Sequence, residues 1–218
     1  MRLGVLVSGR GSNLEAILRA IAARRLACEP ALVVSNRGDA GALEIARAHR
    51  APTAVIDHRR HGGRDAFDAA LVDALRAAGV ELVALAGFDR LLTPAFLEAF
   101  PERVYNVHPA LLPAFKGLHA QRQALDYGAR ITGATVHLVD QHMDHGPIVL
   151  QGAVPIAPDD TEETLGARVL AVEHAIFPAA LQLCVEGRVR VVGRRVVLDG
   201  PLPALPPPLL WLPRSPSE

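Results

Sequence analysis

Short apolar runs alternate along the first half of the chain with segments whose apolar residues recur at helical spacing. Five near-continuous runs predict buried strands: RLGVLV, ALVVS, TAVID, ELVALA and RVYNVH. The segments between them predict helices over residues 14–21, 42–48, 65–78 and 94–99. Strands that are apolar along their whole length are typical of a parallel sheet with helices on both faces. We therefore expect an α/β fold with an open, mostly parallel, twisted sheet of the Rossmann-like kind.

The pattern changes after the fifth strand. Residues 119–127 predict one more helix, and the runs GATVHLV and GPIVLQGAVPI predict two strands that extend the sheet in antiparallel fashion. Thr161, or Asp160 before it, is a typical helix N-cap, and we expect a long helix from there to about residue 186. The run RVRVVGRRVVLDG then predicts a hairpin that turns around Gly193 and Arg194.

These elements form one predicted domain over residues 1–200. That length is enough to bury a substantial core. The remaining segment, residues 201–218, holds seven of the chain's 17 prolines and predicts an extended or mobile tail.

Composition excludes several classes of function. The chain has 23 basic and 23 acidic side chains and no net charge. This balance argues against a protein that coats nucleic acid or binds a membrane surface, although a local basic pocket is compatible with it. The apolar runs are far shorter than the roughly 20 residues of a membrane span, and the N-terminus lacks a signal-peptide pattern. Cys28 and Cys184 match no zinc or redox spacing, so we expect a reduced, cytoplasmic protein.

The first turn after a strand, SGRGSN, is a candidate anion site. Gly9 and Gly11 let backbone N–H groups approach an anion at the start of the following helix, whose dipole favours negative charge. A simple tight turn is the alternative. A dinucleotide motif would need glycine where Leu14 stands and an acidic residue where Ser35 and Asn36 stand, so a single phosphate is favoured over NAD.

A second candidate is the polar run HLVDQHMDHG, which offers imidazole and carboxylate groups at five positions: His137, Asp140, His142, Asp144 and His145. These groups are ordinary zinc or iron ligands, but no H-x-x-x-H pair on a helix is present. A solvated loop is a second interpretation. In a third, Asp144 faces His108 and raises the pKa of the imidazole, which makes it a proton donor near neutral pH.

The third candidate is the pair Asn106 and His108 at the end of the fifth strand. Two residues apart on a strand, their side chains point to the same face. An amide donor beside an imidazole suits a carbonyl oxygen that becomes an oxyanion. Ligands of open parallel sheets bind at this edge. Because the sequence has no recognisable nucleophile elbow, attack by a substrate group is favoured over a covalent intermediate.

These motifs carry a family resemblance. LVSGRGSNLEAI, LAGFDRLLTPAF, NVHPALLPAFKGLHAQRQAL, GATVHLVDQHMDHGPIVLQ and RVLAVEHAIFP resemble, in order, the signature blocks of the phosphoribosylglycinamide formyltransferases, folate-dependent enzymes of purine synthesis. The N-x-H-P-x-L-L-P block with a later D-x-G-P is similar to the wider formyltransferase superfamily. S-G-x-G-S-N and E-H-x-x-F-P indicate the glycinamide ribonucleotide branch.

The resemblance implies a role for each matching residue. Asn106, His108 and Asp144 would be the catalytic trio. The ribonucleotide would bind through Gly11, Ser12, Asn13, Leu170, Ala171, Val172 and Glu173. The folate would bind through Arg64, Asp89, Arg90, Leu91, Leu92, Asn106, Asp140, Gln141, His142, Met143 and Asp144. The domain would thus have a phosphate-binding half of about residues 1–100 and a folate-binding, catalytic half of about residues 101–200.

The implied reaction moves a formyl group from 10-formyltetrahydrofolate, a co-substrate, to the amine of 5-phosphoribosylglycinamide, with no metal required. Asn106 and protonated His108 would stabilise the oxyanion, and Asp144 would keep His108 charged. Both partners are small molecules, with neither nucleic acid nor membrane involved, and a homodimer is left open. The alternatives are a 10-formyltetrahydrofolate hydrolase, which would not need the phosphate loop, and a non-catalytic nucleotide-binding protein.

Two residues depart from the family pattern. Asp89 stands where the family more often has methionine or another uncharged residue, and we expect its side chain to face solvent while its backbone meets the pterin. His145 stands where a small residue is more usual. It would either crowd the folate loop or change the charge near Asp144.

Overall fold

A seven-stranded sheet forms the centre of the fold. The computed structural model describes residues 1–201, so the predicted tail, apart from Pro201, lies outside them. The strands of the sheet, in chain order, are β1 Arg2–Val7, β2 Glu29–Ser35, β3 Thr53–Val55, β4 Leu82–Leu85, β5 Val104–His108, β6 Ile131–Leu138 and β7 Ile148–Pro155. Their order in the sheet is β3-β2-β1-β4-β5-β6-β7. The first five strands are parallel, and β6 and β7 extend the sheet antiparallel to β5.

Helices cover both faces of this sheet. They are α1 Ser12–Ala22, α2 Gly41–Ala48, α3 Arg64–Ala77, α4 Pro94–Ala99, α5 Ala120–Tyr127 and α6 Glu162–Val185, with a short 3-10 turn at His58–Arg60. Successive strand residues point to opposite faces, so Val5 and Val7 of β1 pack into one apolar core with α1 and α6, while Leu6 packs into the other with α3 and α4. The predicted fold class is confirmed.

The long helix α6 begins where the sequence predicts. Thr161 is its N-cap: the Thr161 hydroxyl accepts a hydrogen bond from the backbone N–H of Thr164, and the Thr164 hydroxyl accepts one from the N–H of Thr161. By length and composition α6 is apolar enough to cross a membrane, but half of its apolar window is buried inside the fold. Core helices commonly have this composition, and α6 packs on β6 and β7.

The predicted hairpin is present as a separate two-stranded sheet of β8 Val189–Val192 and β9 Arg195–Leu198. Gly193 and Arg194 form its turn.

The strand order creates a crevice at the carboxyl edge of the sheet. From β1 the chain proceeds outward to β2 and β3, then returns to the other side of β1 to form β4 and β5. The loops that follow β1 and β4 therefore diverge, and ligands of open α/β sheets bind at such a switch point. The turn after β1, where the sequence predicts an anion site, the segment after β4 and the end of β5 all lie at this edge.

Candidate active site

His108, the last residue of β5, lies beside Asp144 from the loop between β6 and β7. His108 Nδ1 is 3.2 Å from Asp144 Oδ2, and only 5% of the imidazole and 11% of the carboxylate side chain is exposed. Asn106 lies two residues earlier on the same strand. All three line one cleft with a volume of about 700 Å³. The structure therefore brings the predicted trio together, and their chemical roles stay predictions.

The segment after His108 is held by side chains from β6 and β7. The Thr135 hydroxyl donates to the carbonyl of Ala110 at 2.7 Å and accepts from the backbone N–H of Leu112 at 3.0 Å. The Gln151 amide donates to the carbonyl of Leu112 at 3.0 Å. Further along, the carbonyl of Phe115 accepts a hydrogen bond from His108 Nε2 at 2.8 Å. The sheet thus fixes the loop, and the loop orients the imidazole.

The proton affinity of His108 is set by opposing effects. Burial lowers the pKa of His108 below its ordinary value, because it outweighs the Phe115 carbonyl and the Asp144 carboxylate, which both raise it. The Asp144 carboxylate thus acts on the pKa of His108 in the expected direction, but the effect of desolvation is larger. With Nε2 donating to Phe115, only the cationic ring can also donate to Asp144.

Asp144 stays ionised in the same surroundings. Burial alone would raise its pKa, but the nearby His137 ring, a hydrogen bond from the Gly117 N–H and the charge of His108 lower it. The Gly117 N–H donates to Asp144 Oδ2 at 2.9 Å. The carboxylate is thus fixed by the same loop that orients His108.

His137, which the sequence analysis names only among possible metal ligands, contacts the predicted trio. It lies opposite Asn106 in the β5–β6 pairing. His137 Nδ1 donates to the Leu138 carbonyl at 2.9 Å, which leaves Nε2 to accept from the Asn106 amide at 3.2 Å. Its Nε2 also lies 3.7 Å from Asp144 Oδ1. His137 therefore orients the Asn106 side chain, and only the strand register, absent from the sequence, reveals it.

The cleft also collects every residue of the predicted folate set. They come from α3, from the segment after β4, from β5 and from the β6–β7 loop: Arg64, Asp89, Arg90, Leu91, Leu92, Asn106, Asp140, Gln141, His142, Met143 and Asp144. Leu91 and Met143 are about half exposed on its walls. A large apolar ring with polar edges fits such a lining.

The predicted ribonucleotide set lies apart from this lining. Asn13 and Glu173 are buried and joined, with Asn13 Nδ2 donating to Glu173 Oε2 at 2.5 Å. Burial raises the pKa of Glu173 to about 7, against the opposing effect of the Asn13 amide. Ser12 lines a smaller cavity of about 220 Å³ with His174, Arg19 and other residues. Leu170 and Ala171 lie on α6 beside Val172 and Glu173.

Gly11 adopts a conformation that requires glycine, with φ +88. A Cβ atom there would lie 2.6 Å from the Cα of Ala42 on α2. The turn after β1 is therefore closely packed against the next helix, and its backbone is exposed at Gly9 and Arg10. This geometry is compatible with the predicted anion site.

The cluster of possible metal ligands forms an ion network. Asp140, His142 and His145 bring their ligand atoms within 4.8 Å of one another. His145 Nδ1 lies 2.8 Å from Asp140 Oδ2, and Arg194 Nη1 of the hairpin turn lies 3.1 Å from His145 Nε2. A guanidinium in that position repels a cation. His145 thus contacts Asp140 and the hairpin, and the sequence did not indicate that Arg194 approaches this loop.

Asp89 differs in part from its expectation. Asp89 is exposed, as expected, but its carboxylate also accepts hydrogen bonds from Ser8 and Asn36 and pairs with Arg37, which the sequence did not predict. Its partners Ser8 and Asn36 are 81 and 53 residues away in the chain, so the sequence alone did not indicate these contacts.

Comparisons with known proteins agree with this fold. A family model described as formyl transferase matches residues 1–181. The phosphoribosylglycinamide formyltransferase of Escherichia coli strain K12 is 39% identical over 200 residues, which cover 92% of this chain and 94% of that protein. The crystal structure of glycinamide ribonucleotide transformylase 1 from Symbiobacterium toebii has a TM-score of 0.90 and 49% identity, covering 91% of this chain and 93% of that one.

A longer relative matches as well. The trifunctional purine biosynthetic protein adenosine-3 of Gallus gallus is 44% identical over 191 residues, which are 88% of this chain but 19% of that protein. The chain thus spans about a fifth of its length.

The fold and the cleft define an α/β protein with a large cleft at the carboxyl edge of its sheet. Within that class, the chain belongs to the formyl transferase family, as the resemblance in its sequence predicts.

Proposed function

We propose that the protein transfers the formyl group of 10-formyltetrahydrofolate to the amine of 5-phosphoribosylglycinamide. The products are formylglycinamide ribonucleotide and tetrahydrofolate, in de novo purine biosynthesis. The observation that carries this proposal is the buried contact between His108 and Asp144 beside Asn106, in a cleft lined by the predicted folate residues. Family membership supports the same reaction class.

Each substrate has a region of matching chemistry. The pterin would lie in the 700 Å³ cleft between the segment after β4 and the β6–β7 loop. The phosphate would bind at the turn before α1, where backbone N–H groups and the helix dipole favour an anion. Glu173, whose pKa is raised to about 7 by burial, would accept from or donate to ribose hydroxyls.

The chemistry follows from the trio. The substrate amine attacks the formyl carbon, a C–N bond forms, and the carbonyl oxygen becomes an oxyanion. The Asn106 amide and the cationic His108 ring stabilise that oxyanion, since donors aimed at developing charge in a dry site act strongly. The bond from the formyl carbon to N10 then breaks, the amine loses a proton, and N10 gains one. Asp144 favours the cationic form of His108 during these steps.

The deciding experiment separates transfer from hydrolysis. The protein is incubated with 10-formyltetrahydrofolate with and without glycinamide ribonucleotide, and formation of tetrahydrofolate is followed. We expect turnover only when the ribonucleotide is present. Equal turnover without it would indicate the hydrolase, and binding of both compounds without turnover would indicate a nucleotide-binding protein.

The remaining predictions concern the partners, the location, the metal requirement and the oligomeric state of the enzyme. Its partners would be the two small-molecule substrates, its location the cytoplasm, and its reaction independent of metal. Full activity after exhaustive chelation, with no gain on adding divalent cations, is the expected result. A homodimer stays open, and sedimentation of the full chain would decide it.

A further inference from the structure

The Asp89 carboxylate, at the switch point of the sheet, contacts three side chains from other segments. Asp89 Oδ1 accepts from the Ser8 hydroxyl at 2.9 Å and from the Asn36 amide at 2.9 Å. Its other oxygen pairs with the Arg37 guanidinium. The backbone N–H of Asp89 in turn donates to the Ser8 oxygen at 3.0 Å. Side chain and backbone thus hold the same hydroxyl.

The partners of Asp89 come from the ends of two other strands. Ser8 directly follows β1 and begins the turn that contains the predicted phosphate site. Asn36 and Arg37 directly follow β2. Ser8 and Asn36 are buried, with 7% and 0% exposure, while 35% of the Asp89 side chain is exposed. One carboxylate therefore joins the carboxyl ends of β1, β2 and β4.

The connection depends on the negative charge. The ionised Asp89 carboxylate can accept hydrogen bonds from all of its donors, and it carries no proton that would itself need an acceptor. An amide in its position would turn an NH₂ group toward one donor, and an apolar side chain would accept from none. Charge-assisted hydrogen bonds of this kind are about twice as strong as neutral ones.

The two segments that Asp89 joins serve different substrates in the proposed reaction. The turn after Ser8 would hold the ribonucleotide phosphate, and the segment from Asp89 to Leu92 lines the folate cleft. That segment is loosely packed at its middle, where Arg90 is exposed and Leu91 is 51% exposed. A ligand that orders one segment would lower the ordering cost for the other if the two are tied.

We propose that Asp89 is a positioning residue that couples the two substrate sites, so that ribonucleotide bound at the first turn tightens folate binding in the cleft. The inference rests on the proposed function for the identity of the two ligands. By linkage, folate must tighten ribonucleotide binding by the same factor. In this proposal the Asp89 side chain carries the coupling between the two sites.

The experiment measures that factor with a pair that cannot react. Tetrahydrofolate has no formyl group, so its Kd can be measured by calorimetry, under argon, with and without saturating glycinamide ribonucleotide. For the unaltered protein we expect the ribonucleotide to lower the Kd of tetrahydrofolate by about fivefold or more, the lower end of typical coupling. In Asp89→Ala the two Kd values should agree within about twofold.

Two further variants keep the test decisive. Ser8→Ala removes the shared hydroxyl from the other side and should lose most of the coupling as well. Asp126→Asn changes an exposed carboxylate on α5 that lies near Arg122, outside the cleft lining, and should keep the full factor. Circular dichroism melts of each variant establish that the compared proteins are folded.

The outcomes separate the inference from the function. Binding of both compounds to the unaltered protein without mutual tightening would overturn the coupling and leave the function standing. Coupling retained in a folded Asp89→Ala or Ser8→Ala would also overturn it. Failure of either compound to bind the unaltered protein would overturn the proposed function and the inference with it.

Discussion

At the scale of single residues, the balance around His108 yields the first prediction. Burial lowers the pKa of His108, and Asp144 opposes it. If the reaction needs the cationic ring, kcat/KM falls as pH rises through that pKa, which lies below the ordinary value. Asp144→Asn removes the opposing charge, so kcat should drop by roughly 10² or more and the falling limb should move to lower pH.

The measurement is kcat/KM between about pH 5 and 8 for both proteins. Asp126→Asn provides a matched control with an unchanged profile. A fully active Asp144→Asn with the original profile would remove Asp144 from the mechanism.

Glu173 gives a second prediction, on stability. Its pKa is raised to about 7 by burial, so between the unfolded value of 4.5 and about 7 the folded protein keeps a proton that the unfolded chain has lost. The contribution of Glu173 to stability is therefore fully present below pH 4.5 and is lost as pH rises through about 7, by roughly 3 kcal/mol for a shift of this size. Glu173→Gln should flatten this dependence.

The control for Glu173 lies on the same helix. Glu163 is exposed near the start of α6, and Glu163→Gln should leave the pH dependence of Tm as it is in the unaltered protein. A Tm difference between Glu173→Gln and the unaltered protein that stays constant from about pH 5 to 8 would contradict the raised pKa.

Residue identities were predictable where the chemistry is local in sequence. Asn106 and His108 share one strand, so spacing alone puts them on one face. The contact of Asn106 with His137 spans 31 residues, and that of Asp89 with Ser8 spans 81. Such contacts depend on strand register and order, which hydrophobic periodicity does not specify.

At the scale of elements, the loop after β5 depends on one hydroxyl of β6. Thr135 is fully buried, and its hydroxyl donates to the Ala110 carbonyl and accepts from the Leu112 N–H. Thr135→Val leaves both backbone groups without this partner, which costs about 1–3 kcal/mol. Tm should fall by roughly 2 to 10 °C for a chain of this length, and kcat should fall because the loop orients His108.

Thr135→Ser is the control, because it keeps the hydroxyl and loses one methyl group, worth about 0.8 kcal/mol. Its kcat should be close to that of the unaltered protein. Equal losses of kcat in both variants would show that packing, rather than the hydrogen bonds, holds the loop.

The β8–β9 hairpin makes a second prediction at this scale. Arg194 Nη2 donates to the His145 carbonyl at 2.7 Å, next to Asp144 in the chain. Arg194→Ala frees the end of the β6–β7 loop, so we expect the KM for the folate to rise by about fivefold, the equivalent of one hydrogen bond, with a smaller change in kcat. Arg195→Ala, at the neighbouring exposed position, should change neither. Unaltered kinetics in Arg194→Ala would remove the hairpin from the site.

Elements were predicted well because each carries its own signal. The apolar runs predicted the strands, and Thr161 with Thr164 indicated the start of α6. The sequence also predicted a hairpin within residues 188–200, but nothing in its alternation indicates that the turn reaches His145. Docking between elements is decided by side chains far apart in sequence.

At the scale of the whole molecule, one sheet carries both predicted functional halves. The backbone carbonyl of Leu6 in β1 accepts a hydrogen bond from the N–H of Ala86, which follows β4. Strand β4 pairs in turn with β5. The folate cleft is likewise built from Arg64 and Asp89 of the predicted first half, residues 1–100, and from Asn106 and Asp144 of the second, residues 101–200. A continuous sheet and a shared cleft leave the halves no independent surface along which to separate.

We therefore predict that the protein unfolds in a single transition that responds as a unit to folate. A ligand that binds only the folded state stabilises it by about 2.7 kcal/mol at 100 times its Kd. For a chain of this length that corresponds to a rise in Tm of roughly 5 to 10 °C. Differential scanning calorimetry with tetrahydrofolate should show one peak that moves as a whole, with equal calorimetric and van't Hoff enthalpies. Two peaks, of which only the one for the second half moves, would show that the halves fold separately and that the segment after β4 contributes little to the cleft.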